Sequence, residues 1–360
     1  ALLFIWVFLP LQAGIEKDIP HKGEYVFSLK KIWQVDSTGN QLLGNITNIW
    51  IDDDGRIFCY DRKNLKYHIF DPHGNLVKTF GKKGEGPGEI RRIEQAPLFL
   101  VDHRLIIMDT GKLHYFDRDG KFIKSVIFNQ QHRPNLFLNE NEFISSPRTI
   151  FDIPEGKATI RKINLITKEK KIIKEFNIFE GGAISDQNIQ AAMVSPTLTP
   201  LMIIAIYKNK LYYGMSDNYR VNICDLKGKD YGFFGLERKK NRVREKVKID
   251  RILRLAKGRA PEELLRTLAK KLPNEETHFY QITDHNGLIY LYNSHFDRKN
   301  FQKIDIFSPE GKYLYRALVR MDEILTITSG PVFKGDFLYL ALENEDGDIL
   351  LGKYKTRHPE

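Results

Sequence analysis

Residues 49–61 (IWIDDDGRIFCYD) and their continuation at 68–77 (HIFDPHGNLV) carry the pattern that organises the whole chain. Short runs of β-branched and aromatic residues are separated there by residues that favour turns. In the step Phe70-Asp71-Pro72-His73-Gly74 the Asp side chain can cap a tight turn. The Gly can take the positive φ that returns the chain as a hairpin. The stretch therefore predicts short antiparallel strands joined by tight turns.

This pattern repeats along the 360-residue chain. Five further copies follow at 99–123, 137–168, 206–229, 282–313 and from Val332 onward. The last copy has too few strands, whereas Tyr25–Val35 is a spare strand-like segment ahead of the first copy. Pairing of this segment with the last copy would close a ring and remove exposed sheet edges. We therefore predict an all-β, six-bladed β-propeller over residues 21–356, closed by an N-terminal strand; a β-sandwich or a β-solenoid is the alternative.

The linker Phe80–Glu89 between the first two copies is rich in Gly. It lacks the Gly-Lys-Ser/Thr step of a phosphate-binding loop, so we interpret it as a turn between blades. Together with the Phe-Asp-x-x-Gly hairpins it resembles NHL-type repeats. Its Gly84–Glu89 motif (GEGPGE) is still more similar to the linker that follows the first blade in bacterial exported 6-bladed β-propeller proteins. The resemblance covers roughly residues 25–355 and implies the fold and export, but it implies no ligand or catalytic residues.

The segment Ala1–Leu11 is almost wholly apolar and is followed by Ala13, Gly14 and then charge at Glu16. This order is typical of the apolar region and cleavage site of a secretory signal peptide. The segment is shorter than the roughly 20 residues that span a bilayer. We predict a signal peptide, truncated at its start, over residues 1–13. Export would place the protein in the periplasm, at the cell surface or in the medium; a truncated membrane anchor or a buried strand is the alternative.

The two cysteines, Cys59 and Cys224, fall in different predicted blades. Blades that are not neighbours in a ring lie farther apart than the roughly 7 Å between Cα atoms that a disulfide allows. Cysteine also packs well as a small buried hydrophobic residue. Both are therefore predicted to be free, buried thiols.

Residues 237–273 interrupt the strand pattern between the fourth and fifth blades. They hold 14 Lys and Arg against 5 Asp and Glu, which is a net charge of +9 out of +10 for the chain. Their apolar spacing predicts two helices that dock on the propeller and leave their basic faces outward. The expected stripe of the first helix is Ile249, Ile252, Leu253 and Ala256, and that of the second is Leu264, Leu265, Leu268 and Leu272.

Outward basic faces favour an anionic partner, such as a lipid surface, a glycan or an acidic envelope protein. The candidate partner-binding residues are Arg238, Lys239, Lys240, Arg242 and Arg244. A solvated charged face on a packed helix pair is the alternative. Nucleic acid would also suit the charge, and some NHL propellers bind RNA, but predicted export argues against it. We expect a monomer.

Enzymes built on six-bladed propellers place metal ligands around the central channel. Calcium would need carboxylate and amide oxygens there. The acidic candidates are Asp52, Asp53, Asp54, Asp102 and Asp284, which we interpret as turn residues. His103 and His285 occupy the same turn position in their copies and are expected to be exposed. We therefore predict no catalytic residue, no metal site and no cofactor, since no residue pattern supports calcium.

The sequence thus predicts an exported binding or scaffold module of the cell envelope, whose ligand it does not specify. One alternative is a metal-dependent hydrolase or lyase with its site at the mouth of the channel. A second is an NHL-type propeller that binds RNA.

Overall fold

The computed structural model describes residues 14–93, 96–147, 157–177, 198–255, 261–294, 300–322 and 324–359. The predicted signal peptide, residues 1–13, lies outside them. Five strands precede the first blade: β1 (Ile15–Lys17), β2 (Glu24–Phe27), β3 (Leu29–Val35), β4 (Ser37–Thr38) and β5 (Gln41–Leu42). The strands β4 and β5 pair only with each other.

Blades one to three are four-stranded antiparallel sheets whose strands follow each other in sequence order. Blade one consists of β6 (Ile46–Ile51), β7 (Ile57–Asp61), β8 (Lys66–Phe70) and β9 (Leu76–Phe80). Blade two consists of β10 (Leu98–Val101), β11 (Arg104–Asp109), β12 (Lys112–Phe116) and β13 (Phe122–Ile127). Blade three consists of β14 (Leu136–Asn139), β15 (Glu142–Ser145), β16 (Lys157–Asn164) and β17 (Lys170–Asn177).

Blades four to six keep this order but recruit strands from the N-terminus. Blade four contains β18 (Met202–Tyr207), β19 (Lys210–Met215), β20 (Arg220–Asp225) and β21 (Asp230–Glu237). Blade five contains β22 (Phe279–His285), β23 (Leu288–Asn293), β24 (Phe301–Phe307) and β25 (Tyr313–Arg320). Blade six contains β26 (Thr326–Lys334), β27 (Phe337–Glu343) and β28 (Ile349–Thr356). The six predicted repeats correspond to these six blades.

The ring is closed by β3, which pairs antiparallel with β28 and places Val35 opposite Leu351. Closure by an N-terminal strand is therefore confirmed. The structure corrects its extent, because Tyr25–Phe27 belongs to β2 and pairs in parallel with β25 of blade five. The strand β1 likewise pairs in parallel with β21 of blade four. Residues 15–35, which we call the N-terminal strap, thus cross the outer edges of two blades before they complete the third.

The predicted turn chemistry is present. The carboxylate of Asp71 accepts hydrogen bonds from the backbone N–H groups of His73 (2.9 Å) and Asn75 (2.8 Å). Gly74 has φ +89°, and a Cβ there would come within 2.8 Å of the Trp33 ring. The turn therefore needs glycine both for its backbone conformation and for the packing of blade six against blade one.

Hydrophobic side chains fill the junction between each pair of neighbouring blades. Phe58 and Ile69 of blade one, for example, pack with Ile107 and Phe116 of blade two. Corresponding clusters join the other neighbours round the ring, including blade six to blade one. Burial of apolar surface contributes about 25 cal/mol per Å², so these junctions stabilise the packing of neighbouring blades.

Both cysteines are free and buried, as predicted. Cys59 packs in the junction between blades six and one, and Cys224 packs in the junction between blades three and four. Burial raises the pKa of Cys59, and it raises the pKa of Cys224 to about 11. Both thiols are therefore protonated and unreactive at neutral pH.

The insert forms helices α1 (Glu245–Leu255) and α2 (Glu262–Lys271) between blades four and five, as predicted. The buried residues of the pair are Ile252, Leu265, Ala269 and Leu272, which pack against one another and against Leu198. Leu264 was predicted to lie in the apolar stripe but is 44% exposed. The backbone of Ala256 and the side chain of Leu268 lie outside what the structure describes.

Lys248, a basic residue of the insert, is buried rather than outward. The ammonium group of Lys248 donates hydrogen bonds to the carbonyl oxygen of Leu272 and to Oδ1 of Asn274, each at 2.6 Å. It thereby satisfies a carbonyl group at the end of α2, where helices leave such groups without intrahelical partners.

Neither α1 nor α2, nor any other helix in the described ranges, has the length and apolar character of a membrane-spanning helix.

Ion pairs hold the strap to the propeller at Asp18. The Asp18 carboxylate accepts hydrogen bonds from Nε (2.9 Å) and Nη2 (2.5 Å) of Arg238 and from Nη2 of Arg316 (2.7 Å). Burial acts to raise the pKa of Asp18, but hydrogen bonds and charge from Arg238 and then Arg316 lower it below its usual value. The ionised Asp18 carboxylate therefore holds the segment between β1 and β2 against blades four and five through its bonds to Arg238 and Arg316.

Deletion of residues 14–36 should lower the melting temperature far more than deletion of residues 14–23. The longer deletion removes β3 and leaves β28 with an unpaired edge, whereas the shorter deletion removes β1 and Asp18 but keeps the closure. Because closure joins the two ends of the ring, we expect the longer deletion to remove much of a stability that is typically about 5–15 kcal/mol. Thermal unfolding followed by circular dichroism measures the difference. A melting temperature of the longer deletion within a few degrees of the parent would contradict the closure.

Asp18→Asn should destabilise the protein by about 1–3 kcal/mol near pH 7, because the neutral amide cannot accept all three charge-assisted hydrogen bonds from Arg238 and Arg316. A carboxylate whose folded pKa is lowered contributes stability above its unfolded pKa of about 4, and the contribution is lost as pH falls through the folded pKa. The difference from the parent should therefore shrink near pH 3 in urea unfolding. Glu24→Gln, which removes a more exposed partner of Arg316, is the control and should cost less. A deficit that stays unchanged in acid would refute the ion-pair role.

Candidate functional site

The five basic residues predicted to bind a partner lie in one short segment that connects β21 to α1, and not on a helix face. Arg238, Lys239 and Lys240 line a cavity of about 490 Å³. Arg242 and Arg244 are exposed and do not line this cavity. The structure thus divides the predicted set into a group at a cavity and a group on the open surface.

This cavity, which we call the basic cavity, lies between the N-terminal strap, the end of blade four and blade five. Its charged lining residues are Asp18, Glu24, Arg238, Lys239, Lys240, Lys303 and Arg316. Its neutral polar lining residues are Tyr25, Asn241, Thr277, His278, Asn293 and Ser294. Five basic side chains therefore face two acidic ones across a wall of neutral donors and acceptors.

Arg238 does not point outward, which corrects the expectation for this residue. Besides its bonds to Asp18, it donates from Nη1 (2.6 Å) and Nη2 (3.0 Å) to the two carboxylate oxygens of Asp305. Asp305 is fully buried and also accepts hydrogen bonds from the hydroxyl groups of Tyr219 and Tyr313. A buried carboxylate needs such a cation and such donors, because its desolvation is costly. Arg238 therefore serves the junction between blades four and five.

Three lysines of the basic cavity have no carboxylate partner among the described residues. Within the described part of the chain, Lys239, Lys240 and Lys303 form no ion pair, although Arg238 and Arg316 beside them do. Lys239 and Lys303 are exposed, and Lys240 is half-buried. The ammonium groups of these lysines are therefore the charges that an anionic ligand could use.

The sequence alone did not point to Lys303 or Arg316. Each is a single basic residue on a strand of blade five, where alternating polar residues are ordinary. Only the fold brings them beside the segment that follows blade four. The charge count of the insert therefore identified part of the site and missed the part contributed by the propeller.

His278 is a partly buried histidine of the basic cavity that lies close to two positive charges. Burial, and to a smaller extent the charges of Lys240 and Arg238, lower the pKa of this imidazole to about 4. The ring is therefore neutral at neutral pH and can donate or accept a hydrogen bond. Nearby, Thr277 and Ser294 are joined by a hydrogen bond of 2.7 Å between their hydroxyl groups.

The central channel has a different chemistry. A cavity of about 520 Å³ lies between inner strands of several blades. The polar side chains of its lining are those of Asn48, Trp50, Asn135, Tyr280, Gln281 and Ser329. All of these are uncharged, so the described lining offers amide and hydroxyl groups rather than carboxylates. Over the described ranges, His, Cys, Asp and Glu form no group of three or more that could hold a metal ion. The predicted alternative of a metal-dependent hydrolase or lyase stays untested.

Four of the five acidic candidates near the channel have structural partners. Asp52 accepts hydrogen bonds from the backbone N–H groups of Asp54 and Arg56, and Arg118 bridges Asp52 to Asp54. Asp53 pairs with Lys334 at 2.7 Å, and Asp102 accepts a hydrogen bond from the backbone of Glu140. These contacts support their interpretation as turn residues.

The structure corrects the placement of Asp284 and His285. Both lie on β22, and the turn is formed by Asn286 and Gly287, which have φ +47° and +82°. His285 is only 7% exposed, and its Nε2 lies 3.2 Å from Nε2 of His358. Burial raises the pKa of Asp284 and lowers that of His285 to about 4. The expectation of an exposed His285 was wrong because the turn begins at Asn286, two residues later than the repeat suggested.

Two solved structures from Bacteroides share this architecture. One is a protein of Bacteroides fragilis NCTC 9343 whose name is "Putative exported protein". It is 12% identical to this chain, with a TM-score of 0.57, and the match covers 94% of this chain and 99% of that chain. The other is a member of the DUF4221 family from Bacteroides vulgatus ATCC 8482; it is 11% identical, with a TM-score of 0.52 over 92% of this chain and 99% of that chain. At these identities the likeness shows the fold alone. No curated protein matches the chain in sequence.

The family assignment comes from the sequence profile of the 6-bladed beta-propeller family, DUF5128, which matches residues 34–223. The matched region is more than half of the chain. It runs from the closing strand β3 through blades one to three into blade four. The chain therefore belongs to this family of six-bladed β-propellers.

Proposed function

We propose that this protein is an exported propeller of the cell envelope that binds an acidic glycan in the basic cavity. The apolar segment Ala1–Leu11 supports export, as does the name of the Bacteroides fragilis protein with the same architecture. The single observation that carries the choice of ligand is the group of lysines Lys239, Lys240 and Lys303, which no carboxylate of the described chain neutralises.

The charges of this group act together. One exposed ion pair contributes only about 0.2–1 kcal/mol, so a single lysine would not define a site. Three cations on one cavity wall attract an anion collectively and raise both its association rate and its affinity. Exposed charges are screened over about 8–10 Å at physiological salt, so binding should weaken as salt is added.

The shape and polarity of the basic cavity favour a sugar over a flat membrane surface. Its volume of about 490 Å³ lies within the range of small-molecule pockets. The exposed side chain of Asn241 offers its amide oxygen to a sugar hydroxyl, and the Tyr25 ring and Leu318 offer apolar surface to the face of a sugar ring. A flat bilayer could reach the exposed Arg242 and Arg244 but would not fill a cavity. A sugar unit with a carboxylate or sulfate group matches both features.

Replacement of Lys239, Lys240 and Lys303 together with Gln should lower affinity for an acidic polysaccharide by about tenfold or more, which corresponds to about 1.4 kcal/mol. Arg238 is left in place, because its removal would leave Asp305 buried without a counter-charge. Retention on immobilised polyuronate, sulfated glycan and neutral glucan would be compared at low and moderate salt.

The matched control replaces Lys78, Lys121 and Lys227 with Gln. These lysines are exposed and lie away from the basic cavity, so both variants change the net charge equally. The control should bind as the parent does, and both variants should keep the parent's melting temperature. Equal binding by the two variants, or equal retention on neutral glucan, would refute the proposed site.

A further inference from the structure

A second cavity, of about 440 Å³, lies where the end of blade two meets the β16–β17 hairpin of blade three. We call it the apolar cavity. Its apolar lining residues are Ile127, Phe128, Phe143, Ile163 and Leu165, and its polar lining residues are Asn129, His132, Asn164, Lys168 and Lys170. The apolar cavity shares no residue with the basic cavity, so a ligand bound here would be independent of the glycan.

The floor of the apolar cavity is buried and hydrophobic. Phe143 is 1% exposed, and Phe128, Ile163 and Leu165 are 6–7% exposed. All four belong to the cluster that packs blade two against blade three. The backbone N–H groups of Phe128 and Leu165 donate to carbonyl oxygens elsewhere, at 3.0 and 2.8 Å. These N–H groups are therefore already satisfied, and the floor presents mainly hydrocarbon.

One wall of the apolar cavity is the solvent-exposed aliphatic side chain of Ile127. Ile127, at the end of β13, is 73% exposed, the largest exposure among the large hydrophobic residues of the described chain. A single exposed isoleucine is ordinary on a protein surface. Here it borders a preformed hydrophobic floor, so a ligand would remove both from water at about 25 cal/mol per Å² of apolar surface.

The rim of the apolar cavity is positively charged. In the described ranges, Lys168 and Lys170 form no ion pair, and both are exposed. Burial lowers the pKa of His132, and the charges of Lys170 and Arg161 lower it further. The amide oxygen of Asn164 already accepts two backbone hydrogen bonds of the hairpin turn. The two ammonium groups are therefore the positive charges that the rim offers to a ligand.

We propose that the apolar cavity binds an amphiphile with one negative charge, such as a medium-chain fatty acid. Its hydrocarbon chain fills the space between Ile127 and the floor, and its carboxylate reaches Lys168 and Lys170. Charge complementarity selects this occupant. A neutral apolar ligand would form no ion pair with Lys168 or Lys170. A highly charged ligand would not cover the apolar floor and would leave it exposed to solvent.

Calorimetric titration with decanoate and with decanol separates the two contributions. The parent should bind one decanoate saturably, and it should bind decanoate about tenfold more tightly than decanol. Replacement of Lys168 and Lys170 with Gln should abolish this preference and leave decanol binding unchanged. The charge-matched control, Lys78→Gln with Lys121→Gln, should bind both ligands as the parent does.

A second pair of variants tests the wall. Ile127→Glu places a negative charge beside the expected carboxylate and should reduce decanoate binding at least tenfold. Ile166→Glu makes the same change at a side chain that is 69% exposed and does not line the apolar cavity, and it should bind as the parent does. Both sites are exposed, so both variants should fold, and their melting temperatures check this. The proposal is overturned if the parent shows no saturable binding, if the two isoleucine variants bind alike, or if the preference for decanoate survives loss of the lysines.

Discussion

The antiparallel pairing of β3 with β28 is the constraint on which the rest of the structure depends. A ring of sheets can leave no open end, so the first strand of the ring must join the last blade. Trp33 of this strand donates a hydrogen bond to the carbonyl oxygen of Pro72 and packs over Gly74 in blade one. The closing strand therefore joins blade six not only to the chain terminus but also to the next blade of the ring.

The route to this closing strand creates the basic cavity. The strap pairs with blade four through β1 and with blade five through β2, and between these strands it passes over the junction of the two blades. Asp18 fastens this passage to Arg238 and Arg316, and Arg238 in turn neutralises the buried Asp305. The paired arginines form the base of the cavity. No described carboxylate pairs with the lysines beside them. The arginines therefore carry structural charge, and the lysines carry charge that is available to a ligand.

The parts of this structure that were predictable from sequence are those that depend on local chemistry. The turns at Asp71 and Gly74 follow from side-chain capping and positive φ within five residues, and their repetition predicts the number of blades. The ion pair of Arg238 was not predictable, because Asp18 is 220 residues away in the sequence. Charge counting likewise treated Lys248 as an outward cation, whereas helix packing places its ammonium group on a carbonyl group of the neighbouring helix. Sequence patterns locate charge, but only tertiary contacts show which charges are already neutralised.

The two cavities differ because the N-terminal strap covers some blade junctions and not others. At blades four and five the strap adds polar groups and two acidic residues, Asp18 and Glu24, to the lining of the basic cavity, so this space is polar and charged. At blades two and three no described strand pairs with the outer edges of β13 and β17, and Ile127 remains in water beside a hydrophobic floor. Both cavities arise from the same repeated junction, and the residues placed around it set their chemistry. Each junction therefore keeps its own hydrophobic cluster, while the residues around that cluster set the chemistry of the surface above it.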